Sequence, residues 1–139
     1  MKHGFHDALS VDALKGDEWI TDETIRYFST CCYLVTIPVG LVTDLASNPW
    51  WIRWLIPVND DHRLPSALHD YLYNAQGCLA GRKWSRFKCD IEMFYASKTC
   101  GVPFWVRLLM LVGVRVGGWW SWYKCSKRLK HRWSKLWTK

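Results

Sequence analysis

The sequence lacks several patterns that define functional classes. Its six cysteines include no Cys-x-x-Cys and no zinc-finger spacing, which predicts free thiols of a reducing compartment. The opening residues, Met-Lys-His-Gly-Phe-His-Asp, contain no apolar core of a signal peptide. Arg107 and Arg115 interrupt the mostly apolar stretch 102–123 and leave only seven uncharged residues between them. Because a spanning helix needs roughly 20 apolar residues, this stretch predicts a buried helix.

Acidic residues are also absent from the last part of the chain, which makes the charge uneven. The net charge is +7, yet residues 1–123 contain 12 basic and 12 acidic residues. Residues 124–139 contain the other seven basic residues and no acid, so the net charge does not indicate specific nucleic-acid binding. In a helix, Leu129, Trp133 and Trp137 would form an apolar stripe among these cations. This pattern is typical of a terminal helix whose Trp residues dock on the body, with an anionic membrane surface and non-specific phosphate contact as alternatives.

Short runs of aromatic and β-branched residues dominate the first part of the chain. Between residues 19 and 37 they predict two or three strands. The pattern then changes to helical periodicity. We predict one α+β domain over residues 1–123, with a short N-terminal antiparallel sheet followed by a mainly helical half of three to four helices. Residues 124–139 are predicted to form a basic, Trp-containing tail.

Proline, glycine and a capping serine define the predicted helices. The first covers residues 65–76, from a proline to the residue before a glycine, and the second runs from a serine cap at 85 to about 99. Pro103 would open a third helix over 103–116. Gly117-Gly118 is predicted to interrupt it, and residues 124–137 would form a fourth, basic helix.

Three segments carry side chains of the kinds that bind a divalent metal or activate water. His69 lies on the apolar face of the first helix, with Asp70 about one helical step away. Asp90 falls within the apolar stripe of the second helix, where a buried carboxylate needs a cation, a metal or several donors. Asp44 lies in a turn of short polar residues. The metal set is therefore Asp44, His69 and Asp90, with Zn²⁺, Mn²⁺ or Mg²⁺ as the expected cofactor.

Each of these residues also has a structural interpretation. His69 can be a core histidine with a single partner, and Asp90 can form an ion pair with Arg107 or Arg115. Asp44 can cap a helix or form an Asx turn. Without a metal, His69 could act as a general base oriented by an aspartate.

The order of these motifs resembles a known family. Val39-Gly-Leu-Val-Thr-Asp-Leu-Ala-Ser-Asn-Pro49 is followed by His69-Asp-Tyr-Leu-Tyr73, then by Asp90-Ile-Glu-Met-Phe94 and Val114-Arg-Val-Gly117. Together they resemble the DUF1353 family, proteins of tailed bacteriophages, prophages and some bacterial genomes, over residues 19–120. Leu41 replaces the family's usual phenylalanine, and Cys89 stands where alanine is common. The resemblance implies a polar signature of Thr43, Asp44, Ser47, His69, Asp70, Tyr73 and Asp90, but it supplies no activity.

Two functional hypotheses follow. In the first, the protein is a metal-dependent hydrolase of a cell-wall amide or a phosphoester. Its catalytic residues would be Asp44, His69, Asp70 and Asp90, and its binding residues Thr43, Ser47 and Tyr73. In the second, it is a phage structural, assembly or host-interaction protein with a phage or host protein partner, and the same cluster only stabilises the fold. A lysis-associated role of the tail is a third idea. The expected location is the host cytoplasm or the virion.

Overall fold

The computed structural model describes residues 2–13, 18–43, 63–79 and 81–137, with side chains described as far as residue 128. Within these ranges the chain forms short antiparallel strands in its N-terminal half and helices in its C-terminal half. The α+β prediction is confirmed. Asp44 and Ser47 lie outside the described residues, as do the tail side chains from Leu129 onward.

Two three-stranded sheets and one hairpin make up the β structure of the described residues. The strands are, in chain order, β1 Gly4–Phe5, β2 Val11–Ala13, β3 Trp19–Thr21, β4 Ile25–Phe28, β5 Leu34–Ile37, β6 Val42–Thr43, β7 Cys78–Leu79 and β8 Arg82–Lys83. One sheet has the order β1-β4-β5, the other β2-β3-β6, and β7 pairs with β8. The strands predicted between residues 19 and 37 are present. Strands β1 and β2 were not predicted, because residues 1–18 carry little β-type pattern.

The β4–β5 pair contributes one face to the main core. Ile25 and Tyr27 of β4 and Val35 and Ile37 of β5 are buried, and the residues between them are exposed. This alternation follows from the two-residue period of a strand. Ile25 is paired directly with Ile37, and Tyr27 with Val35, so the four side chains lie on the same side of the sheet.

Three helices follow in the described part of the chain: α1 Arg63–Asn74, α2 Arg86–Thr99 and α3 Phe104–Trp137. The Ser85 hydroxyl accepts a hydrogen bond from the Lys88 amide at 3.2 Å and caps α2, as predicted. Beyond the end of α1, Gly77 has φ +67°, and a Cβ there would lie 2.1 Å from the Trp84 carbonyl oxygen. Glycine is therefore required where the chain turns from α1 into the β7–β8 hairpin.

The predicted interruption at Gly117-Gly118 is wrong, because α3 continues through both glycines to Trp137. Each glycine costs a helix about 1 kcal/mol relative to alanine, a penalty that tertiary contacts outweigh here. Gln76 donates a hydrogen bond to the Trp122 carbonyl at 2.9 Å, and Arg86 donates to two further carbonyls of α3. Gly118 also lets the Tyr73 hydroxyl approach, since a Cβ there would lie 2.7 Å from that oxygen.

Helices α1 and α2 complete the core. Leu68 and Leu72 of α1 and Cys89 of α2 pack with the buried face of β4–β5, and all three are fully buried. A second cluster joins α2 to the start of α3 and contains Met93, Val102, Val106 and Met110. All six cysteines are free thiols. None of the helices within the described residues has an apolar run sufficient to cross a membrane.

Candidate functional site

The carboxylate of Asp90 is the centre of a buried polar cluster formed by all three helices. Its side chain has no exposed surface. His69 Nε2 lies 2.8 Å from Oδ1, the Tyr73 hydroxyl donates to Oδ1 at 2.6 Å, and Arg115 Nη1 donates to Oδ2 at 2.8 Å. The first two partners are four residues apart on α1, so they lie on the same helix face. The cluster thus brings together His69, Tyr73 and Asp90, which the sequence predicted. Of the two arginines that the sequence offered for an ion pair with Asp90, Arg115 forms it.

Two arginines support the cluster, and one of them was not predicted. Arg86 lies one helical turn before Asp90 on α2, with its Nε 3.8 Å from Oδ2. It also donates to the Tyr73 hydroxyl at 3.2 Å, and its Nη2 donates to the Val114 and Arg115 carbonyls at 3.0 and 2.6 Å. The four-residue spacing to Asp90 was the available sequence signal. Arg86 therefore connects the acid, its tyrosine partner and the backbone of α3.

The hydrogen bonds keep Asp90 ionised. Burial alone would raise the pKa of its carboxyl, but the hydrogen bonds from His69, Tyr73 and Arg115 outweigh burial and lower it. Burial and the bond to Asp90 raise the pKa of the Tyr73 hydroxyl, which stays protonated as a donor. Burial also raises the pKa of the neighbouring Cys89 thiol to about 12, so this group is an inert apolar neighbour rather than a nucleophile.

The ionised carboxylate orients the ring of His69. A carboxylate only accepts hydrogen bonds, so Nε2, which faces Asp90, carries a proton. The other ring nitrogen, Nδ1, takes part in no hydrogen bond with the described residues. The ring packs on Tyr73 with centroids 4.0 Å apart, and the residue is 7% exposed. His69 is therefore a buried imidazole whose orientation is set by Asp90 and Tyr73.

A second polar contact lies one residue further along α1. The hydroxyl of Thr43, at the end of β6, donates to Oδ2 of Asp70. Thr43 is buried and Asp70 is partly exposed. The contact brings together Thr43 and Asp70, two further residues of the predicted set. Asp70 directly follows His69 in the sequence. None of the described hydrogen bonds joins Asp70 to the residues of the Asp90 cluster. Its predicted catalytic role stays a prediction.

Glu92 forms a separate buried cluster that sequence reasoning missed. Its side chain is fully buried, and it accepts hydrogen bonds from the Tyr27 hydroxyl, the Thr30 amide and hydroxyl, and Lys88 Nζ at 2.7–2.8 Å. Burial alone would raise the pKa of this carboxyl, but the bonds from Lys88, Thr30 and Tyr27 lower it. His3 also borders this cluster: its Nε2 lies 3.8 Å from Glu92 Oε1 and is hydrogen-bonded to the Tyr27 hydroxyl at 2.8 Å. The cluster joins α2 to the β4–β5 turn and is a structural counterpart of the Asp90 cluster.

The described residues do not present a metal site. No three histidine, cysteine, aspartate or glutamate side chains converge within the described ranges. Both oxygens of Asp90 and Nε2 of His69 already take part in hydrogen bonds within the cluster. A metal on these atoms would have to displace Tyr73 or Arg115. The third predicted ligand, Asp44, lies outside the described residues, so the metal set as a whole stays a prediction.

These features define a class: a small α+β domain whose helical half surrounds an ionised aspartate bound by histidine, tyrosine and arginine. Comparison with protein families gives a match to the model described as "Protein of unknown function (DUF1353)" over residues 19–114. The chain belongs to the DUF1353 family. His69, Tyr73 and Asp90 fall inside the matched region, and Arg115 directly follows it. No curated protein and no solved structure matches the chain.

Proposed function

We propose that this protein is a hydrolase in which His69 acts as a general base oriented by Asp90. The observation that carries the proposal is the 2.8 Å contact between His69 Nε2 and Asp90 Oδ1, made by a fully buried acid with a lowered pKa. An aspartate in this position holds the imidazole in one tautomer and stabilises the imidazolium formed when the ring takes a proton.

The proposed reaction uses water as the nucleophile. His69 Nδ1 takes a proton from the water as its oxygen attacks the carbon of an amide or the phosphorus of a phosphoester. The imidazolium then returns the proton to the leaving nitrogen or oxygen. Tyr73 and Arg115 keep Asp90 ionised and fixed, so they are positioning residues. In this proposal the setting is a phage or prophage, and the substrate is a cell-wall amide or a phosphoester.

Turnover of two probe substrates tests the proposal: purified peptidoglycan and bis(p-nitrophenyl) phosphate, each assayed with Mg²⁺, Mn²⁺ or Zn²⁺ in turn. General base catalysis typically contributes about 10²–10⁴-fold. We therefore expect His69→Gln to lower kcat at least about 100-fold while thermal unfolding shows that it still folds. The matched control is Glu92→Gln, which removes a buried acid from the same helix outside the cluster and should retain most of the activity of its folded fraction.

The second candidate is a phage structural or host-interaction protein in which the cluster only stabilises the fold. The Glu92 cluster favours it, because it is an equally complete set of hydrogen bonds around a buried acid. The same assay separates the two functions. Absence of turnover by the wild-type protein on both substrates, or an unchanged rate in His69→Gln, would contradict the hydrolase proposal and support the structural role.

A further inference from the structure

Helix α3 has an apolar face that is exposed among the residues that the structure describes. Large apolar side chains recur along it every three or four residues, and each is 45–66% exposed. This spacing is that of one face of a straight helix, over about 27 Å at 1.5 Å per residue. We call this face the outer stripe; it consists of Trp105, Leu108, Val112, Val116, Trp119 and Tyr123.

The opposite face of α3 is already occupied. Val106, Met110 and Cys125 are buried there, and helices α1 and α2 both pack against α3. The bonds from Arg86 and Gln76 to carbonyls of α3 fix its rotation. The helix therefore cannot turn its outer stripe inward. An exposed apolar face of this extent indicates a binding surface.

The charge of α3 indicates the nature of that partner. Within residues 104–137 the sequence has eight basic residues and no acid, and the last acid of the whole chain is Glu92. Two of the cations lie over aromatic rings, one of them beside the outer stripe and the other within it. Lys124 Nζ is 5.3 Å from the ring centroid of Trp120, and Lys127 Nζ is 4.7 Å from that of Tyr123. The surface thus combines apolar side chains with cations that have no counter-charge on their own helix.

Three kinds of partner differ in how well they fit the apolar and cationic side chains of this surface. A second copy of the chain would bring two such helices together with cations on both sides and no acid of α3 to pair with them. A nucleic acid would bind the cations, but it would leave leucine and valine side chains against sugar and phosphate. The interface of an anionic bilayer accommodates all three features: aliphatic side chains enter below the headgroups, Trp and Tyr lie at headgroup level, and cations meet phosphate.

We propose that α3 lies in the surface of an anionic phospholipid bilayer through the outer stripe, with Lys124 and Lys127 on the headgroups. This is independent of the hydrolase proposal, because it uses the side of α3 opposite to the buried cores. The proposed contact includes Lys124 and Lys127 and extends further toward the N-terminus than residues 124–139, for which the sequence left a membrane surface open as one alternative.

Co-sedimentation of the full chain with vesicles tests the proposal. One set of vesicles is phosphatidylcholine with about 30 mol% phosphatidylglycerol, and the other is phosphatidylcholine alone. We expect binding to the anionic vesicles at least about tenfold tighter, because each cation near the surface contributes about fivefold. Leu108→Gln with Val116→Gln should reduce binding at least about tenfold. Val39→Gln changes an equally exposed valine away from α3 and should leave binding unchanged.

A second variant keeps the test decisive if the glutamine pair fails to fold. Lys124→Gln with Lys127→Gln changes only exposed side chains and should weaken binding to anionic vesicles about 25-fold, with no effect on neutral ones. Equal sedimentation of wild type and both variants would overturn the proposal. So would binding to a short DNA duplex but not to vesicles, or a dimer by light scattering that becomes a monomer in Leu108→Gln with Val116→Gln.

Discussion

Replacing Asp90 with asparagine removes the charge of the buried cluster and keeps its shape. The carboxylate accepts three hydrogen bonds, two on Oδ1 and one on Oδ2. An amide offers only one oxygen, so its NH₂ group must face a donor. The least costly orientation keeps the oxygen toward His69 and Tyr73 and turns the NH₂ toward Arg115. The substitution therefore breaks the charged bond and leaves the guanidinium without its counter-charge.

The magnitude follows from the burial of the two partners. Breaking a buried ion pair by removing one partner costs about 3–5 kcal/mol. The Asp90 side chain is fully buried, but that of Arg115 is 39% exposed, and water can partly replace the lost carboxylate. We therefore expect a loss of about 2–4 kcal/mol in the free energy of unfolding. With an unfolding entropy of about 2.1 cal/mol/K per residue, this lowers Tm by roughly 7–14 °C.

Urea denaturation followed by far-UV circular dichroism at neutral pH measures this loss. Asp7→Asn is the matched control, because it removes the charge from an exposed ion pair with Arg26 and should shift the midpoint far less. A double-mutant cycle with Arg115→Gln identifies the mechanism, since the two losses should overlap by about 1 kcal/mol or more. A loss below about 1 kcal/mol for Asp90→Asn, or strict additivity with Arg115→Gln, would refute the reasoning.

Two further predictions concern backbone and pH. Gly118→Ala should destabilise the protein because its Cβ would lie 2.7 Å from the Tyr73 hydroxyl, whereas Gly117→Ala, with open space around it, should stabilise α3 by up to about 1 kcal/mol. Thermal unfolding measures both changes, and equal effects would contradict the proposed contact. The pKa values of Asp90 and Glu92 are lower in the folded protein than in the unfolded chain, so the unfolded chain takes up protons first as the pH falls. The stability that the two acids contribute is therefore complete above about pH 5 and is lost as the pH falls through their native pKa values. Urea midpoints across this range should fall less steeply for Glu92→Gln than for wild type, and parallel curves would be the contrary result.

Much of the helical half could be predicted because its signals are local. The serine cap of α2 and the glycine after α1 act on the backbone of neighbouring residues. Both helix ends can therefore be recognised from the local sequence. The break at Gly117-Gly118 was predicted from local propensity as well, and that prediction was wrong because α3 continues through both glycines. The hydrogen bonds that hold α3 through this point come from Gln76 and Arg86, far away in the chain.

The candidate site was predicted in part, for a similar reason. Helical periodicity placed His69 and Asp90 on apolar faces, and two such faces pack against each other. It could not choose between Arg107 and Arg115 as the partner, because that depends on where α3 crosses α2. Arg107 instead lies over the ring of Phe94, 4.8 Å from its centroid.

Glu92 was missed because α2 is buried on more than one side. A helix with a single apolar stripe leaves its other faces to solvent, and an acid two residues from the stripe is then expected in water. Here the side of α2 that carries Glu92 faces Tyr27 and Thr30 at the β4–β5 pair. The sequence contains no pattern that distinguishes this acid from a solvated one.

The positions of Asp90 and Glu92 on α2 have a consequence for how the molecule comes apart. Side chains two residues apart on a helix point to nearly opposite sides. Asp90 therefore bonds to residues of the other two helices, and Glu92 bonds to residues of the β4–β5 pair. Detaching the sheet would remove the Tyr27 and Thr30 donors of Glu92 and leave it with Lys88 of its own helix. Detaching α1 and α3 would remove the His69, Tyr73 and Arg115 donors of Asp90. Helix α2 thus connects the sheet to the other two helices through buried charged hydrogen bonds. We therefore expect the domain to unfold in one cooperative transition, without an intermediate in which only the sheet is lost.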